Sequence, residues 1–179
     1  MPILGIMASS MQSAVGDYES IQTVTVGAGG ASSVAFTGIP STYKHLQVRA
    51  MHLYSSTGDN LVLSYNSGAF TNTRSHFVYG TGAAAAAGTD TAGGGIISFQ
   101  SGSTSTAFCV AVYDFLDYAN SNKNKTLRGL IGQDLNGSGI VGLVSAFANT
   151  TTAINALTFT YNGGQTFRQY SSFALYGIK

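Results

Sequence analysis

The sequence predicts an all-β fold, an antiparallel β-sandwich of jelly-roll type that is preceded by an extended N-terminal arm. Short runs of β-branched and aromatic residues alternate with clusters of Gly, Ser, Asn and Thr along most of the 179 residues, a pattern typical of sandwiches and barrels. No long segment has the 3.6-residue apolar period of an amphipathic helix. A chain of this length can bury roughly 70% of its unfolded surface, so a single domain needs no disulfide or metal to fold. We expect the arm over residues 1–16 and the sandwich over residues 17–179.

Ten or eleven strands are predicted, in segments that end at clusters of turn-forming residues. The segments are residues 18–26, 33–39, 45–55, 60–66, 74–80, 95–101, 105–118, 126–132, 139–150, 153–162 and 167–179. The Gly-rich residues 27–32 are predicted to form a loose hairpin between the first two strands. Residues 81–95 are predicted to form a loop, because their five consecutive alanines barely exceed one helical turn and helix nucleation is unfavourable.

Two of these strands, residues 45–55 and 105–118, carry apolar side chains on both faces. In the second, Val110 and Val112 alternate with Ala111 and Tyr113. A strand that is apolar on both faces is typical of the centre of a fold, so we expect both faces of residues 105–118 to be covered. For residues 45–55, either both faces are covered or a β-bulge reverses the alternation.

The first twelve residues, MPILGIMASSMQ, contain no charged side chain. They lack the basic n-region of a signal peptide, and the segment is too short to span a bilayer. We predict an arm that binds another protein, because such a segment can be buried without desolvating an ion. Its predicted partner-binding residues are Ile3, Leu4, Ile6, Met7 and Met11. The alternative is a strand that packs under a sheet of the chain's own domain.

Charged residues make up 8% of the chain, against about 25% in ordinary soluble domains. The net charge is +1, which gives little repulsion between copies and suits a subunit of an assembly. The eight basic residues are scattered between Lys44 and Lys179, whereas nucleic-acid binding requires a basic cluster. We therefore expect neither nucleic-acid binding nor membrane insertion.

No enzymatic activity, cofactor or metal site is predicted. Asp114 and Asp117 are three residues apart on one strand and therefore point to opposite faces; they could approach each other, and bind a cation, only if the strand ends at Asp114. His45 and His52 are separated by about 23 Å along an extended strand, too far to share a metal ion. Cys109 lies in an apolar run and is expected to be a buried small hydrophobe.

Several tyrosines are predicted at strand ends, where one edge of the ring can remain in water. Tyr54, Tyr65 and Tyr79 are the candidate contacts of an outer face. Such residues could pack against another subunit, which we favour, or form a platform for a sugar.

Four stretches of the sequence resemble a family of tailed-bacteriophage virion structural proteins, often labelled minor tail or head decoration proteins. They are PILGIMASSMQ at residues 2–12, residues 17–49 with FTGIPSTYKHLQVR, residues 112–139 with VYDFLDYANSNKNKTLRGLIGQDLNGSG, and the ending QYSSFALYGIK. The resemblance covers about half of the chain and implies a β-sandwich structural protein without a catalytic motif.

The expected function is that of a non-enzymatic virion protein, made in the host cytoplasm and placed on the outer surface of the phage particle. A capsid decoration or cement protein, anchored by its N-terminal arm, is the first expectation. Its partners would be further copies, in a homotrimer or other cyclic oligomer, and the major capsid protein or tail proteins. The alternative is a tail or neck component that binds a host surface or carbohydrate.

Overall fold

The computed structural model of the chain describes residues 17–55, 60–66, 73–90, 95–98 and 107–179. The predicted arm, with its five candidate binding residues, lies outside these ranges. The described residues contain twelve strands and no helix. The strands are β1 (Tyr18–Thr25), β2 (Ser33–Thr37), β3 (His45–His52), β4 (Leu61–Tyr65), β5 (Thr73–Gly80), β6 (Ala85–Asp90), β7 (Ile96–Ser98), β8 (Cys109–Leu116), β9 (Lys125–Asp134), β10 (Gly139–Ala148), β11 (Ala156–Tyr161) and β12 (Ser172–Ile178).

The strands form two antiparallel sheets that pack together, so the predicted β-sandwich is confirmed. The larger sheet has eight strands in the order β1-β12-β3-β8-β9-β10-β5-β6, and the smaller has four in the order β2-β11-β4-β7. The core lies between them, and contacts such as that of Phe159 with Phe173, whose ring centroids are 5.0 Å apart, join the two sheets. Because successive side chains alternate between the faces of a strand, each central strand buries every second residue.

The Gly-rich residues 27–32 do not form the predicted hairpin. β1 pairs with β12 in the larger sheet, whereas β2 pairs with β11 in the smaller one, so this segment links the two sheets. Gly30 has a φ of +71°, and a Cβ at this position would lie 2.8 Å from the carbonyl oxygen of Phe167. Gly30 therefore permits a close approach to the Phe167 backbone, and its N–H donates to the Gly27 carbonyl oxygen at 3.1 Å to close a turn within this link.

The prediction of a loop over residues 81–95 is wrong for residues 85–90, because β6 pairs with β5 along its whole length. Alanine and glycine are poor strand formers. Gly88 lies directly opposite Phe77, however, and a Cβ on Gly88 would be 2.6 Å from the Phe77 ring. This packing of an aromatic ring over a cross-strand glycine is a known way to stabilise an edge strand.

The outward-facing side of β8 is not covered, contrary to the expectation for residues 105–118. Ala111 and Tyr113 are buried, but Val110 is 54% exposed. On β3 no bulge is needed, because Leu53 is buried after the strand has ended and Met51 is 41% exposed. Aliphatic side chains thus remain on the outside of the larger sheet.

Candidate interaction surface on the larger sheet

Four aliphatic side chains form a row across the outer face of the larger sheet. Val112 on β8 lies opposite Leu130 on β9, and Leu130 lies opposite Leu143 on β10. Leu143 in turn lies opposite Val78 on β5. Leu130 is 54% and Leu143 56% exposed. Residues opposite one another on neighbouring strands are close enough to touch, so the row is continuous.

A second apolar row runs parallel to the first. Val110 on β8 and Val141 on β10 both lie opposite Gly132 on β9, and both valines are more than half exposed. A Cβ on Gly132 would meet nothing within 4 Å, so this glycine leaves a gap between the valines. We call the six aliphatic residues of the two rows the apolar face; they are Val78, Val110, Val112, Leu130, Val141 and Leu143.

A polar row borders the apolar face on one side. Asp114 on β8 accepts hydrogen bonds from Arg128 Nε on β9 and from Gln47 Nε2 on β3, each at 2.9 Å. Ser145 and His76 continue this row on β10 and β5. A shallow groove of about 740 Å³ is lined by side chains of the polar row and of the first apolar row. The surface therefore combines an apolar floor with a polar margin, which is the usual anatomy of a protein interface.

β10 contributes to the apolar face because apolar residues occupy both of its faces. Val144, Ala146 and Ala148 face the core and are buried, while Val141, Leu143 and Phe147 face outward and are exposed. An antiparallel sheet with one solvated face ordinarily carries polar residues on that face. Contiguous apolar patches on a protein surface often mark sites of interaction, and this face has the composition of such a site.

The three candidate tyrosines do not belong to the apolar face. Tyr54 is fully buried and packs against Tyr161, with ring centroids 5.6 Å apart. Tyr65 is half-buried against the core. Tyr79 is half-buried on the inner side of β5. The assignment of an outer-face contact to Tyr54 is therefore wrong, whereas Tyr65 and Tyr79 are partly exposed and their assignment stays a prediction.

The two aspartates have separate partners. Asp114 belongs to the polar row, and Asp117 follows the end of β8 with a φ of +49°. Lys123 Nζ lies 2.6 Å from Asp117 Oδ2, and the backbone N–H of Asp117 donates to His45 Nδ1 at 3.0 Å. The hydrogen bond from Lys123 holds the pKa of Asp117 below its usual value. No group of three or more His, Cys, Asp or Glu side chains that could hold a metal ion occurs within the described ranges.

His52 and Cys109 are core residues. The His52 ring stacks on Phe173 at 5.7 Å between centroids, and its Nδ1 is 2.9 Å from the Tyr161 hydroxyl. Burial lowers the pKa of His52 to about 3, so the ring is neutral at pH 7. Cys109 is buried, and its Sγ lies 3.7 Å from Ser98 Oγ.

Lys125 is a buried cation that sequence reasoning missed. Its side chain projects inward at the start of β9 and is 4% exposed. The ammonium donates to the carbonyl oxygens of Asn120, Lys123 and Thr151, so all three of its N–H groups are used. Burial lowers the pKa of this lysine. It ties the turn before β9 to the segment after β10.

Comparisons of the chain with protein-family models, with curated proteins and with solved structures give no match. Across the part of the chain that the structure describes, no helix is long and apolar enough to cross a membrane.

Proposed function

We propose that the protein is a non-enzymatic structural subunit of a tailed-bacteriophage virion, a decoration or cement protein on the outer surface of the particle. The apolar face is the observation that supports an assembly role. Its six side chains are held on four neighbouring strands of a rigid sheet, next to a polar margin. The low charge of the chain agrees with a protein that functions in contact with other copies.

The energetics of the apolar face favour association through many weak contacts. Fully burying a Val or Leu side chain contributes about 1.5–3 kcal/mol, so covering the five that are about half exposed gives roughly 4–8 kcal/mol before the costs of association. After the loss of translational and rotational freedom, such a contact is weak by itself. Repeated copies on a particle offset that weakness through effective concentration.

The N-terminal segment supplies the anchor in this proposal. Ile3, Leu4 and Ile6 provide apolar side chains on a stretch without charge. An extended segment can bind by filling an apolar groove or by adding a strand to a sheet edge. The partners proposed for the protein are further copies, in a cyclic oligomer, and the major capsid protein or a tail protein.

The test is incorporation into phage particles that are assembled with variant protein. We expect Leu130→Gln with Leu143→Gln to lower the copy number in purified particles at least tenfold, because the apolar face becomes polar. Ala35→Gln is the matched control, since Ala35 is exposed on the smaller sheet. Deleting residues 1–14 should also abolish incorporation while leaving a folded sandwich. Normal incorporation of both the double variant and the deletion would refute the proposal.

Density for the chain in an intact particle would separate the head from the tail. Hundreds of copies on a lattice support a decoration protein, and three, six or twelve copies place it in a tail or neck.

A further inference from the structure

The two edges of the larger sheet differ in how they are protected against pairing with another strand. On β1 the register shifts between Ser20 and Gln22, and Glu19 forms an ion pair with Lys179 at 3.5 Å. Bulges and charged side chains are the devices by which proteins prevent pairing at sheet edges. β1 is therefore a protected edge.

β6, at the opposite edge, has neither device. Its pairing with β5 continues from Ala85 to Asp90 without a register shift, and it contains no proline or lysine. Ala85, Ala86, Ala87 and Thr89 are exposed. The one charged residue, Asp90, is buried. β6 is the last strand in the sheet order of the described residues, so it presents an edge without a bulge or an exposed charge.

We propose that β6 pairs in an antiparallel manner with β6 of a second copy of this chain, around a two-fold axis. The proposal rests on the proposed function for its biological role, and it names the partner as a second copy. Two identical strands can satisfy each other's backbone hydrogen bonds around such an axis, because a two-fold interface is self-complementary. The affinity of strand addition comes mainly from main-chain hydrogen bonds, and the small side chains of Ala85–Ala87 do not obstruct the approach.

The apolar face gives a second reason for this partner. Ala87 lies opposite Val78, and Ala85 lies opposite Gly80. On β6, both rows of the apolar face are therefore continued by alanines, whose side chains are small. Pairing of two β6 strands would join two eight-stranded sheets and bring their apolar faces next to each other. Pairing of β6 with β1 of another copy would meet the bulge and Glu19, so the two-fold arrangement is favoured.

The first experiment measures the mass of the purified full-length protein by sedimentation equilibrium. The Leu130→Gln, Leu143→Gln variant is the background, because it removes association through the apolar face. In this background we expect twice the 18.5 kDa mass of the chain. Adding Ala87→Lys should restore the monomer mass, because each of the two pairing edges then carries a lysine, a residue that prevents pairing at sheet edges. Adding Thr23→Lys, at an exposed position on β1, should leave the dimer intact.

Several outcomes would overturn the pairing. These are a monomer in the background variant, a dimer that survives Ala87→Lys, and a mass that grows with concentration as in head-to-tail chains. Circular dichroism and thermal melting confirm that each variant is folded, so a loss of dimer cannot be attributed to unfolding.

A cysteine series provides a second measurement that does not depend on disrupting the pair. Ala85→Cys, Ala86→Cys, Ala87→Cys and Thr89→Cys are oxidised one at a time. A residue near the axis faces its own copy at the Cα separation of about 4.4–6.8 Å that a disulfide requires. A two-fold axis normal to the sheet places one residue opposite its own copy, so we expect one position to cross-link, or Ala87→Cys to cross-link with Thr89→Cys in a mixture of the two proteins if Gly88 lies on the axis. Thr23→Cys should not cross-link. No cross-link at any β6 position, or cross-linking at all of them, would contradict pairing in a fixed register.

The two proposals can fail separately. Loss of particle incorporation in the apolar-face variant, together with a background variant that is monomeric, supports the virion role and rejects the pairing of β6. A cross-linked β6 dimer in a protein that is absent from particles supports the pairing of β6 and rejects the virion role.

Discussion

Polar groups buried inside the sandwich and apolar groups exposed on its outer face differ in the partners that the chain provides for them. The buried Lys125 ammonium has three carbonyl partners, and the buried His52 ring has the Tyr161 hydroxyl. Among the described residues, the exposed Leu130 and Leu143 lie opposite one another and next to valines of the apolar face. The burial of the Lys125 ammonium is thus compensated within the described chain, whereas the exposure of the two leucines is not. This difference supports the proposal that another molecule covers the apolar face.

The strongest test of this contrast compares two leucines of the same strand. Leu127 faces the core and is 6% exposed, whereas Leu130 faces outward. We expect Leu127→Ala to lower the free energy of unfolding by about 3 kcal/mol, because it removes buried methyl groups and leaves a cavity. Leu130→Ala should change it by less than about 0.5 kcal/mol in the isolated chain. Urea denaturation at low protein concentration measures both.

Equal effects of these two substitutions would contradict the contrast. A large effect at Leu130 would mean that the apolar face is already covered within the isolated chain.

Lys125→Met tests the compensated burial. Methionine keeps most of the side-chain length but leaves three carbonyl oxygens without their donor, so we expect a loss of about 2 kcal/mol in the free energy of unfolding. Lys123→Met is the control, since Lys123 is exposed and exposed ion pairs contribute little. A Lys125→Met protein as stable as the parent would show that the ammonium contacts do not stabilise the fold.

Because His52 is buried in its neutral form, we expect the free energy of unfolding to decrease as the pH falls. Its pKa is about 3 in the folded chain and about 6.5 when unfolded, so between these values the unfolded chain binds the extra proton. The contribution of His52 to the free energy of unfolding is fully present above pH 6.5. It decreases as the pH falls, by up to about 1.4 kcal/mol per pH unit. We expect His52→Gln to remove this slope between pH 6.5 and 5, a range above the titration of ordinary carboxylates. An unchanged slope in the variant would assign the dependence to other groups.

The strands of the sandwich could be predicted from the sequence because their alternation is local. β6 could not, because its Ala-rich sequence is stabilised by the ring of Phe77 on the neighbouring strand, a contact absent from any local pattern. Of the strands that carry the apolar face, only β8 showed it in the sequence, as apolar residues on both of its faces. Which face the smaller sheet covers depends on the tertiary fold. The same limit explains Tyr54, whose position near a strand end did not reveal that it is buried.

Arg49→Leu is expected to have the smallest effect on stability. Arg49 is exposed on β3, and its guanidinium carbon lies 5.1 Å from the ring centroid of Tyr176 and 5.8 Å from that of Tyr18. Exposed cation–π contacts contribute about 0.5–1 kcal/mol, so the loss should be of this order.

Arg49 also lies directly opposite Val112. Leucine at this position would extend the first row of the apolar face by one strand, so we expect stronger self-association in sedimentation velocity, while Arg49→Gln, which loses the same cation, should not associate more. Equal association of the two variants would mean that a leucine at position 49 on β3 does not extend the apolar face.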